Sequence, residues 1–259
     1  MENLRAFTEY LVAWAFRYPF ARKIMHLEKI QAIRKVVAAA ISVLLLGAAT
    51  SVQAQVSGNV ALTSDYVWRG SSQTRENPAV QAGVKYAHDS GFYASVWGSN
   101  VKFKPDNNAS SEFDIALGWS GKLAEDWALD GYYLRYQYPG TQGSPNWNEV
   151  NAALTWRDNY WLSVGRSTNA MASKTTGTYA LIGVRYPVND KWRFEGTLAR
   201  YFLDSAYADS YTHGSLGVVW GFQAPFEARL TLHGTDSAAK RMFPSMAGSR
   251  VEFALQASF

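Results

Sequence analysis

The chain contains no cysteine, which excludes a disulfide framework, a thiolate metal centre and a cysteine nucleophile. Histidine is almost as scarce. Beyond residue 54 only His88, His213 and His233 remain, spaced too widely for a histidine-based zinc site. There is no P-loop, dinucleotide fingerprint or HExxH motif, so no cofactor or metal is expected. Long apolar runs are missing too: after residue 54 none approaches the roughly 20 residues of a membrane helix. A mean hydropathy of −0.20 argues the same way against a helical membrane bundle.

Excess charge of one sign is absent once the first segment is set aside. The pI of about 9.1 suggests a basic protein. Yet 7 of the 25 Lys and Arg, and 3 of the 21 Asp and Glu, fall in residues 1–54. The remainder carries 18 of each sign. A nucleic-acid partner is therefore not expected, because phosphate neutralisation needs a basic face.

What is present begins with a leader over residues 1–54. Lys29, Arg34 and Lys35 form a positive segment, Val36 to Ala49 is apolar apart from Ser42 and Gly47, and Val52-Gln53-Ala54 offers a small-residue cleavage site. This pattern predicts a Sec signal peptide cut after Ala54, leaving residues 55–259 as the mature domain. A start at Met25 gives a signal of ordinary length, whereas Met1 gives an unusually long basic region.

Alternation of period two recurs through the mature chain and predicts strands. Val56, Val60, Leu62, Tyr66 and Trp68 share one parity of the first. Further segments lie near 80–87, 92–101, 112–120, 127–138, 148–156, 160–166, 178–186, 192–202, 211–220 and 226–233. The last alternates Val251, Phe253, Leu255, Ala257 and Phe259 against Arg250, Glu252, Ala254, Gln256 and Ser258. About twelve strands are expected.

Three features select a membrane barrel over a soluble sandwich. Short turns near 88–91, 157–159, 187–191 and 221–225 alternate with longer polar loops near 69–79, 102–111, 139–147, 167–177, 203–210 and 234–249. That is the outer-membrane pattern, and an even strand count returns both termini to the periplasm. Aromatics gather toward the strand ends. Trp119, Trp127, Trp156, Trp161, Trp192 and Trp220 lie beside short turns, and Trp68 and Trp147 lie toward the long loops. Two such belts mark two membrane surfaces. The chain also ends on Phe259, on the outward parity, resembling the signal that barrel-assembly machinery reads. The expectation is an all-β, antiparallel up-and-down transmembrane barrel in the outer membrane, in contact with its lipid.

The segment Ser57-Gly-Asn-Val-Ala-Leu-Thr-Ser-Asp-Tyr-Val-Trp-Arg-Gly-Ser-Ser-Gln-Thr74, then Asn77-Pro-Ala-Val-Gln-Ala-Gly83 and Ser90-Gly-Phe-Tyr-Ala-Ser-Val-Trp-Gly-Ser-Asn-Val101, resembles the proteobacterial TorF-family porins, also grouped as the uncharacterised Gcw_chp domain. The resemblance spans essentially the whole mature chain. It implies a barrel, and it implies neither catalytic residues nor a substrate. Ser71 and Ala82 depart from the expected pattern.

Strand parity places Lys85, Asp114, Glu149, Arg185, Arg193, Glu195, Glu227, Arg229, His233, Arg250 and Glu252 inside the barrel. Arg135 joins them on one reading of a strand whose parity is ambiguous, since Asp130 would then face outward. Such charges either tune a narrow conduit for small hydrophilic solutes or crosslink a closed lumen. Twelve strands lie between side-chain-filled and open barrels. A lipid hydrolase is the third reading, because His213 and Ser215 share a strand face; their parity points inward and no orienting acid is evident. The protein is not expected to be an enzyme.

Overall fold

The computed structural model describes residues 54–143 and 145–259. Apart from Ala54 the expected leader lies outside them. In chain order the elements are β1 (Ala54–Thr63), β2 (Val67–Trp68), β3 (Ser71–Ser72), β4 (Ala79–His88), β5 (Phe92–Asn100), β6 (Ser111–Ala124), β7 (Trp127–Gln137), β8 (Trp147–Trp156), β9 (Tyr160–Ser167), β10 (Gly177–Pro187), β11 (Trp192–Leu203), β12 (Tyr211–Gln223), β13 (Phe226–Thr235), a short helix α1 (Ser237–Met242) and β14 (Arg250–Ser258). Among the described residues no helix is long and apolar enough to cross a membrane.

Twelve strands, β1 and β4 to β14, close into one antiparallel barrel in which each pairs with its neighbour in sequence and β14 returns to β1. Closure gives every barrel strand a partner on both edges, as a hydrocarbon surrounding requires. At the seam Gly58 and Phe259 exchange backbone hydrogen bonds of 2.6 and 2.9 Å. The Phe259 ring covers Gly58, where an added Cβ would meet Cε2 at 2.9 Å.

The alternation dictates the two surfaces. Along β12 Leu216 and Trp220 are exposed, while Tyr211, His213 and Val219 are buried. Phe92, Leu117, Val150, Ile182, Phe194, Leu232 and Val251 are likewise exposed apolar residues of the outer wall. All the short turns lie at one end, and the start of β1 and the end of β14 lie there too: Ala54 pairs with His88 before the β4–β5 turn, and Ser258 pairs with Asn59 low on β1.

One sequence expectation fails in an informative way. The first strand stops at Thr63 instead of running on to Trp68. Residues 64–78 turn into the barrel and form the β2–β3 hairpin, which makes its own two-stranded sheet. Tyr66 packs on Trp97 of β5, and Trp68 packs edge-on against Tyr136 of β7, Trp147 of β8 and Tyr201 of β11. A segment that touches inward residues on so many strands occupies the lumen. Loop 236–249 joins it from the long-loop end, with Ser72 donating to Met246 O at 2.9 Å and Phe243 packing edge-on against Tyr211.

Candidate functional site

The interior has two halves of different character. In the long-loop half the inserted hairpin is largely buried and heavily bonded. Asp65 accepts from Ser72 Oγ at 2.6 Å, Thr74 Oγ1 at 2.9 Å and Arg250 Nη1 at 3.1 Å. Arg69 crosses to β8 and forms a two-point ion pair with Glu149, whose side chain has no exposed surface. The rings of Trp68, Tyr179 and Tyr201 stand 4.0–4.7 Å from the guanidinium carbon, within cation–π range. Tyr211 OH donates to Arg69 O at 3.2 Å. The Tyr66 hydroxyl lies 3.4 Å from Glu112 Oε1. Burial and that carboxylate push Tyr66 well above its ordinary pKa, so it remains a donor.

The short-turn half holds a partly exposed lattice of ions. Arg193 reaches Glu195 and Glu227, both at 2.8 Å, and Arg229 reaches Glu195 at 2.5 Å and Glu227 at 3.0 Å. Arg185 adds a third arginine to Glu195 at 3.4 Å. These side chains keep 17–46% of their surface, in contrast with the sealed Arg69–Glu149 pair. Three guanidiniums on two carboxylates leave a local excess of one positive charge. Elsewhere Lys85 sits 3.6 Å over the Tyr93 ring, and Tyr93 OH donates to Asp130 at 2.7 Å. Glu252 bonds His233 at 2.9 Å and Thr63 at 2.7 Å.

Lys85, Asp114, Glu149, Arg185, Arg193, Glu195, Glu227, Arg229, His233, Arg250 and Glu252 all stand on the inward parity of their strands. Arg135 does not. Tyr136 and Tyr132 pair with inward Trp147 and Asn151, so Asp130 faces in and Arg135 faces out, donating to Asn148 at 2.9 Å. Three tryptophans also leave the expected outer belt. Trp68 rides on the inserted hairpin. Trp147 is 2% exposed and stacks on Tyr136 at 4.1 Å. Trp161 pairs with inward Gly183, whose missing side chain makes room for the indole.

Trp127, Trp156, Trp192 and Trp220 remain outward beside the short turns, Trp127 near Trp156 and Trp192 stacked on Trp220. Trp119 also faces out and bonds Ser90 O at 2.9 Å. Sequence reasoning missed Asp65, Arg69 and Glu112. Glu112 shares the parity of Asp114 and was legible from it, whereas Asp65 and Arg69 follow the alternation of the first strand beyond Thr63, where that strand ends and the chain turns inward. His213 bonds Tyr179 at 2.9 Å and Ser215 bonds Thr197 at 2.7 Å, so the two are not paired as a base and nucleophile. Among the described residues no cluster of His, Asp and Glu is arranged to hold a metal.

A closed twelve-strand barrel with an apolar outer wall and a charged interior defines a porin-like β-barrel. Solved porins share the fold. The KdgM porin matches with a TM-score of 0.52 at 7% identity over 78% of this chain and 99% of that one. The NanC porin matches with a TM-score of 0.51 at 11% identity over 79% and 99%. A KdgM porin in complex with disordered oligogalacturonate gives 0.51 at 7% identity over 79% and 98%. By sequence, the model of the family described as "Bacterial protein of unknown function (Gcw_chp)" matches residues 47–259, and the chain belongs to that family. Among curated proteins none matches.

Proposed function

We propose that the protein is an outer-membrane channel for small hydrophilic solutes, exported through Sec, with both termini in the periplasm and the long loops outside. The observation that carries this reading is the partly exposed arginine–glutamate lattice lining the short-turn half of the lumen. Charges left partly solvated inside a barrel set the field along an aqueous path. The outer-membrane lipid and the barrel-assembly machinery, reading Phe259, are the partners that this location requires.

The inserted β2–β3 hairpin favours a second reading, a closed barrel whose long loops carry the function. A planar-bilayer recording of the refolded mature chain decides between them. The channel reading expects discrete conductance steps that enlarge when residues 66–73 are replaced by a short glycine linker. Silence from both proteins would sink it and leave the closed barrel.

A further inference from the structure

Few charged groups stand on the outer wall, and those few are alike. On the outward parity of the barrel strands the Lys and Arg residues are Arg135 on β7, Arg166 on β9 and Arg200 on β11, and no carboxylate shares that surface. Each lies within three residues of the long-loop end of its strand. Each is steadied by one hydrogen bond from Nη1 to the following strand: to Asn148 Oδ1 at 2.9 Å, Thr178 Oγ1 at 2.8 Å and Thr212 Oγ1 at 2.9 Å. Among the described residues none of the three has a carboxylate partner, and their Nε and Nη2 donors meet no protein acceptor.

The row repeats on every second strand. With strands about 4.8 Å apart, neighbouring guanidiniums stand about 10 Å from one another across the sheet. Arginine at mid-bilayer is costly, and near the interface the cost almost vanishes. This row therefore sits where a positive charge is tolerated and where anionic headgroups are found. Free guanidinium edges match phosphate oxygens in geometry.

From mid-wall to the short-turn end the same strands leave an apolar groove of about 620 Å³, lined by Leu162, Ile182, Val184, Leu198 and Leu216 and, beside the short turns, by Trp127 and Trp156. Gly196 also lines the groove and faces outward between two of those side chains. A Cβ there would meet Leu216 Cδ2 at 3.3 Å and Val184 Cγ1 at 3.5 Å. Leu198 is the next outward residue after Arg200, so the groove begins directly beneath the arginines.

We propose that the β8–β12 wall, with Arg135 at its edge, binds a phosphate-bearing lipid from the leaflet on the long-loop side. The phosphate lies between Arg166 and Arg200, Arg135 adds to the positive field at the edge of the site, and an acyl chain lies in the groove beside Gly196. This inference rests on the membrane reading above and adds a ligand to the outside of the barrel.

The test uses the full chain refolded in phosphatidylcholine bilayers. Brominated-chain phosphatidic acid or brominated-chain phosphatidylcholine serves as the probe, and the readout is the quenching of a tryptophan placed by Leu198→Trp in every protein compared, directly beneath Arg200 on the outer wall. The wild type should favour the phosphatidic acid, each arginine contributing up to roughly fivefold. Arg135→Gln, Arg166→Gln and Arg200→Gln together should abolish the preference, and the corresponding triple lysine variant should keep part of it. If the triple glutamine variant does not fold, the three single variants each test one step. An undiminished preference in the glutamine variants would overturn the proposal. Displacement of the lipid by excess inorganic phosphate would also overturn it, because the site would then take the free ion. Quenching by neither lipid would mean that the wall does not meet hydrocarbon; that result overturns the membrane reading itself and is thereby distinguished from a failure of the arginine site.

Discussion

Arg69 and Glu149, 80 residues apart in sequence, meet through two hydrogen bonds, Nη1 to Oε2 at 3.0 Å and Nη2 to Oε1 at 2.6 Å. The contact ties the inserted hairpin to the barrel wall. Both side chains are nearly sealed from solvent. In such a setting the pair itself adds little net stability, yet removing one partner strands the other charge. Glu149→Gln should therefore destabilise the barrel by about 3–5 kcal/mol in a urea titration. Removing both charges, Arg69→Met with Glu149→Leu, should cost clearly less than either single change. Equal costs for the single and double variants would show that the pair is not the anchor.

The hairpin turns on Gly70, whose φ is +83°. A Cβ at this position would lie 2.7 Å from Thr235 Cγ2 and 2.8 Å from His213 Cβ. Left-handed backbone alone costs a non-glycine residue about 1–2 kcal/mol. Gly70→Ala should lower stability by at least that amount. It should also speed protease cleavage within residues 64–78, mapped by mass spectrometry. Unchanged protection would indicate that the hairpin tolerates the bulk.

The two faces of the wall should respond oppositely to charge. Leu216 is 69% exposed on the outward parity of β12, and an arginine there should cost about 2–4 kcal/mol in a bilayer. Gln256 faces the lumen directly opposite Glu227, so Gln256→Arg should be nearly neutral. Urea-dependent unfolding of both variants in lipid vesicles checks the register, and equal penalties would refute it.

Arg193 and Arg229 each bridge Glu195 and Glu227. Changing both to Gln leaves two unpaired carboxylates on the lumen wall. If ions pass there, the reversal potential across a salt gradient should move toward cation preference. An unmoved potential in a conducting protein would place these residues off the permeation path.

Strand parity was readable wherever one face was uniformly apolar, as with Leu216, Val218 and Trp220 on β12. It failed where both faces carry aromatics or charge. β7 offers Asp130 and Tyr132 to the lumen and Tyr133 and Arg135 to the outside, so hydrophobicity alone does not fix its phase. The inserted loop escaped for a related reason. Tyr66 and Trp68 continue the period of Val60 and Leu62, and period two does not distinguish a strand that continues from one that breaks and turns inward. Tryptophan was ambiguous in itself, because a ring suited to a headgroup layer also fills a lumen, as Trp147 and Trp161 do. The Arg69–Glu149 contact depends on a loop path that no local pattern encodes.

The seam between β1 and β14 has a kinetic consequence. Its reciprocal Gly58–Phe259 bonds join residues about two hundred positions apart, so the first strand waits for the last before its free edge is covered. Loop-closure entropy makes such pairing slow. Until then β1 presents unpaired amides and carbonyls that another chain's strand could occupy. Loss of the final few residues should therefore yield intermolecular strand exchange instead of a slightly weakened barrel, and the time that the chain spends with its two outer edges apart is the interval in which a chaperone or an assembly factor can act.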